Sequence, residues 1–163
     1  MEVFVVYLFD TSDGAEKMLN LVKDLSSQRL IIINDAAIVT WPLGRGKPKT
    51  EHLHDLAGVG ALSGAFWGML FGLIFFIPFL GMAIGAAMGA LAGKFSDYGI
   101  NKGFIKAVGE KVTEGTSALF LKTSDIVVDK VSDAVEQKGW NFEIIGTDLS
   151  KEKEQQLRQD FGD

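Results

Sequence analysis

The chain has 163 residues, with 16 Lys and Arg against 21 Asp and Glu, a net charge of −5 and no cysteine. That acidity, with no stripe of basic and aromatic side chains, argues against a nucleic-acid role. The missing cysteines exclude disulfides, thiol catalysis and Cys-ligated metals, and the length allows one ordinary domain or a smaller one with an added element.

Glu2 to Phe9 is apolar on both alternating faces, Val3, Val5, Tyr7 and Phe9 against Phe4, Val6 and Leu8. This pattern predicts a central strand covered on both sides. An acid at position 2 and no basic leader region make the segment read as a strand, not a signal peptide. Ser12 or Asp13 caps a helix running to about Ser26, with Ala15, Met18, Leu19, Val22 and Leu25 on one face. Residues 30–42 read as a second strand, interrupted at Asn34-Asp35. Gly44-Arg45-Gly46 is a turn signal, so residues 48–53 return as a short hairpin partner.

Leu56 to Gly93 then runs for 38 residues without one ionisable side chain, and Ser63 is its only hydroxyl. Apolar runs of this length signal membrane helices. As one helix it would be roughly 57 Å long, nearly twice a bilayer core. Pro78 supplies the break, giving two arms, about 56–77 and 79–94, folded back on each other as a helical hairpin with Ile77, Pro78 and Phe79 at its tip. The tip carries no polar residue, so it is expected to stay out of water. Gly60, Gly64, Gly68 and Gly72 recur every fourth residue in the first arm, and Gly81, Gly85, Gly89 and Gly93 do so in the second. Each quartet makes a smooth stripe suited to close helix crossings, a glycine zipper for packing within the hairpin and between chains. Trp67 lies too deep in the first arm for an interfacial belt, so packing against another helix is its expected use.

Beyond the hairpin, Ile100, Phe104, Ile105, Val108 and Val112 have helical spacing, and Gly115 stops that helix. Residues 116–123 form a compact strand. Ser124 caps a helix carrying Val127, Val131, Ala134 and Val135 that Gly139 ends, and residues 140–146 read as an edge strand. The charged tail is a helix candidate with only Leu157 and Phe161 on an apolar side. Two βαβ units most simply make a ferredoxin-like α+β sheet with strands 2–9 and 117–121 in its centre. The domain reading is therefore residues 1–55 and 95–149 as two halves of that sheet domain, 56–94 as the inserted apolar hairpin, and 150–163 as a charged tail.

The run DYGINKGFIKAVGEKVTEGTSALFLKT behind a double glycine zipper resembles a bacterial family of small predicted membrane proteins, catalogued as a domain of unknown function. The most specific residues are Gly99, Ile100, Phe104 and Ile105, then Gly115 through Leu119. Thr116 departs mildly from the serine usual in that family. The resemblance implies membrane association and the same layout, and it brings no catalytic or ligand residues.

Chemistry is sparse. His52 and His54 flank Leu53 beside Glu51 and Asp55, the only cluster with metal-capable side chains. Two histidines without a distant third ligand make a weak metal site, and a polar approach to the apolar arm is the simpler reading. Gly44-Arg45-Gly46-Lys47 lacks the spacing of a phosphate loop. The sequence thus points to no enzyme, no cofactor and no metal. It suggests a self-assembling protein of the bacterial inner membrane, with itself and lipid as partners and its sheet domain in the cytoplasm. An oligomeric pore or a membrane-tethered small-molecule sensor are the alternatives. Uncharged arms speak against a wetted lumen, and the sensor rests on fold analogy.

Overall fold

The structure is a computed structural model that describes residues 1–56, 58, 60–76 and 85–162, without the side chains of residues 76 and 85–88. It is an α+β protein. Five strands, β1 (Glu2–Phe9), β2 (Asp35–Thr40), β3 (Lys49–His52), β4 (Ser117–Ser124) and β5 (Glu143–Leu149), form one antiparallel sheet in the order β3-β2-β4-β1-β5. The two most continuously apolar strands, β1 and β4, are central, and register is clear: Val5 faces Leu121 on one side and Gly146 on the other. β2 starts only at Asp35, so residues 30–34 of the expected second strand lie outside it. The edge strand β5 begins three residues later than the expected Trp140.

Six α-helices accompany the sheet among the described residues: α1 (Gly14–Ser27), α2 (Gly64–Phe71), α3 (Gly85–Asp97), α4 (Lys102–Lys111), α5 (Asp125–Gln137) and α6 (Lys151–Phe161). Several starts are set by side-chain oxygens that meet a free helix amide. Asn101, Ser124 and Ser150 accept from the amides of Phe104, Val127 and Lys153. Gly139, at φ 75°, ends α5 in the left-handed conformation its position demands.

Alternation along the strands splits the core in two. Val3, Val5, Tyr7 and Phe9 face α1 and α5, whose Met18, Val22, Val131 and Val135 are fully buried. Phe4, Val6 and Leu8 face the other way, onto α2, α4 and α6 together with Phe95 and Tyr98. The result is three layers, with the sheet in the middle.

This second layer corrects the hairpin reading. The first arm is not one helix from residue 56. It opens with a 3-10 turn at His54–Leu56 and a loop. It then becomes α2, and continues as a π-helical turn at Gly72–Phe76. Its large side chains, Phe66, Trp67, Leu70, Phe71, Ile74 and Phe75, are buried in the core on this face of the sheet. Trp67 stacks on Phe4 at 5.6 Å and meets Phe120 edge-on at 6.1 Å. The physical reason is that a strand apolar on both faces needs two covers, and α1 and α5 supply only one. Among the described residues no helix is long and apolar enough to cross a membrane. The tip residues Ile77, Pro78 and Phe79 lie outside the described residues.

The charged tail closes the same layer. Leu157 and Phe161, four apart on α6, are both buried. The Phe161 ring stacks parallel to Phe95 at 5.9 Å, and Lys94 lies 5.3 Å over its face. Shortening Phe161 to alanine should therefore cost about 3–4 kcal/mol. Urea unfolding of Phe161→Ala measures it; a loss below about 1 kcal/mol, the scale of an ordinary surface change, would show that α6 is not part of the core.

Candidate functional site

Two adjacent inner strands each carry one buried charge, and the two are register partners: Asp35 on β2 lies opposite Lys122 on β4. Cross-strand partners share a face, so both project into the layer that holds α2 and α6. Burying a charge there is tolerable only if it is paired and hydrogen-bonded.

Asp35 meets that condition with four contacts. Its Oδ1 accepts from the Ala36 amide at 2.9 Å and lies 2.7 Å from His52 Nε2. Its Oδ2 accepts from the Leu62 amide at 2.8 Å and from Trp67 Nε1 at 2.9 Å. One carboxylate therefore fixes both the loop that enters the apolar stretch and the tryptophan that seats α2.

Lys122 fixes the other side of that loop. Its Nζ donates to the Gly60 carbonyl at 2.7 Å and lies 3.0 Å from Oε1 of both Glu154 and Glu2. Glu154 also pairs with Arg158 at 2.8 Å. Burial raises the Glu154 pKa, but Lys122 and Arg158 outweigh it and hold the carboxyl below its usual 4.5. Three backbone contacts complete the anchorage. The Gly58 amide donates to Asn34 O at 2.8 Å, the Ser63 amide to Phe161 O at 2.7 Å, and Leu62 bridges Gly162.

The glycines of the expected zipper divide. Gly60 is not helical: it turns at φ 84°, and a Cβ there would stand 3.0 Å from Lys122 Nζ, so its smallness serves the lysine. Gly64, Gly68 and Gly72 lie along α2 and its π-helical turn, Gly85 opens α3, and Gly89 and Gly93 follow on α3. Among the described residues, a Cβ at Gly64, Gly68, Gly72, Gly89 or Gly93 would meet nothing within 4 Å. Among the described residues, then, no atom is packed against these five positions. Gly81 lies outside the described residues.

His52 closes β3 and His54 opens the 3-10 turn, with Leu53 between them buried in the opposite core. Their rings stand 4.4 Å apart, and Trp67 is 5.7 Å from His52. Among the described residues no group of three or more His, Asp or Glu gathers to hold a metal ion. Sequence reasoning missed Asp35, Lys122 and Glu154. The signal was present in the first two, since each is the sole charge inside an otherwise uncharged strand.

Fold and site together define an α+β protein in which the first part of the uncharged stretch is pinned to the second face of the sheet by two buried charges. Residues 61–162 match the model of the family described as "Protein of unknown function (DUF1269)", and the chain belongs to that family. No curated protein and no solved structure matches it.

The Glu154 cluster makes stability depend on acid. Its pKa is lower folded than unfolded, so its contribution is fully present above the unfolded value of about 4.5 and is lost as pH falls through the folded one. Glu154→Gln should cost about 3 kcal/mol at pH 7, because it strips one anion from a buried lysine. Urea unfolding at several pH values should show that cost shrinking toward pH 3. A pH-independent cost would mean that the carboxylate charge is not what stabilises the cluster.

Proposed function

We propose that this protein is a non-enzymatic, membrane-associated self-assembling protein, in which glycine-lined helix faces of neighbouring copies meet. The observation that carries the reading is the open space over Gly64, Gly68, Gly72, Gly89 and Gly93. Inside a helix each glycine costs about 0.8–1 kcal/mol relative to alanine. Among the described residues nothing uses the room they leave, and a close approach from outside would offset their cost. Exposed neighbours extend the face without charge: Ala65 and Met69 on α2, Ala90 on α3. Such small-residue faces suit helix crossings at short distance.

The sheet supports a ferredoxin-like scaffold for this face. Read without its short edge strand β3, the order β2-β4-β1-β5, with every neighbour antiparallel, is that of a split βαβ arrangement. Membrane association draws support from the uncharged surface that the stretch keeps outside the core, Gly64, Ala65, Gly68 and Met69 on α2 and Gly89, Ala90 and Gly93 on α3, and from the lysines at its far flank, Lys94, Lys102 and Lys106. In this reading the sheet domain stays on the cytoplasmic side of the bacterial inner membrane.

Because a Cβ at Gly68 or Gly89 would meet no atom within 4 Å among the described residues, leucine there should leave the fold intact. Native mass spectrometry of wild type should show a defined oligomer, and Gly68→Leu or Gly89→Leu should shift it to smaller species with unchanged far-ultraviolet circular dichroism. A wild-type protein that stays a single chain across concentrations and detergents ends the proposal.

A further inference from the structure

We propose that His52 and His54 bind a divalent transition-metal ion of the zinc or nickel kind, with Asp35 as the carboxylate that orients His52. The inference does not depend on self-assembly, since it uses other residues. It begins with hydrogen positions. Three of the four contacts to Asp35 come from the Ala36 amide, the Leu62 amide and the Trp67 indole, groups that only donate. Asp35 is thus an acceptor throughout, and at 2.7 Å His52 Nε2 must carry the hydrogen that points at it. The ring nitrogen left to offer a lone pair to a ligand is thereby Nδ1.

That Nδ1 is buried and has no hydrogen-bond partner among the described residues, and the His52 side chain as a whole is only 9% exposed. A buried polar atom left unmet calls for a water, an ion or a chemical role. Histidines that ligate metals characteristically donate their second nitrogen to a carboxylate, and Asp35 and His52 have that arrangement. The second ligand stands beside it. The His54 ring is 4.4 Å from that of His52, nearer than the Trp67 ring, and His54 is exposed, so it has room to turn onto an ion. Leu53 is committed to the opposite core, which keeps both imidazoles on one side of the chain.

Ligand chemistry then selects the ion. Neutral imidazoles suit zinc, nickel and copper, whereas calcium and magnesium demand oxygen. With only two protein ligands, the ion is exchangeable rather than a structural zinc. The Trp67 indole shares Asp35 with His52, so a paramagnetic ion at the imidazoles reports on the seat of α2.

The test uses the full chain, stripped with a chelator and titrated with NiCl2 by calorimetry and by fluorescence. Trp41→Phe and Trp140→Phe leave Trp67 as the only indole for the fluorescence arm. The expected result is one ion per chain, with Trp67 quenched as the site fills. His54→Ala, a change at an exposed position, should weaken binding more than about tenfold, since even an outer-shell partner is worth about 10–100-fold. His52→Ala should abolish it, and CaCl2 should not bind. The proposal is overturned if the folded wild type takes up no nickel saturably, which would leave a water as the partner of Nδ1. It is equally overturned if His54→Ala binds as wild type does, or if calcium binds as well as nickel.

Discussion

Everything in this molecule follows from a sheet that cannot leave either face in water. Phe4, Val6 and Leu8 on one side of β1 are as buried as Val3, Val5, Tyr7 and Phe9 on the other. The crossover helices α1 and α5 cover one face. The other face recruits what remains of the chain: the first part of the uncharged stretch, the helix after it and the C-terminal helix. An apolar helix that would otherwise seek lipid thus finds its solvent in the protein's own sheet.

Aromatic packing alone does not say where along the sheet such a helix should sit. Phenyl rings are tolerant of small shifts, and hydrophobic burial is non-directional. Direction comes from the two buried charges. Asp35 gathers the Leu62 amide and the Trp67 indole, while Lys122 holds the Gly60 carbonyl and, through Glu154, the first turns of α6. Each charge is costly to bury, and each is satisfied by groups from segments distant in sequence. The polar pair therefore specifies one docking of the apolar layer.

Once α2 is turned so that Phe66, Trp67, Leu70 and Phe71 face the sheet, its remaining surface is decided too. Residues four apart share a side, so Gly64, Gly68 and Gly72 fall together on the outside. The orientation that completes the core is the same one that exposes a surface with no charge and little relief. Core formation and the outward glycine face are two consequences of a single helix rotation.

Much of this was legible in the residues. The double-sided apolar pattern of 2–9 announces a central strand. The cap Ser124 and the stop at Gly139 have local chemistry that survives in any context. Local propensity and period-two alternation act over a few residues, so they can be read in one dimension. Even the tail declared itself, through Leu157 and Phe161 one turn apart. What the residues by themselves determined was the class of fold, the order of its elements and the presence of one long uncharged stretch. Only the tertiary structure decided which surface the first part of that stretch would cover. A run of Phe, Leu and Trp is equally content against lipid, another helix or a sheet, because the hydrophobic effect does not distinguish among apolar partners. The choice lay with Asp35 and Lys122, ordinary strand residues until pairing sets them opposite each other beneath Trp67 and Gly60.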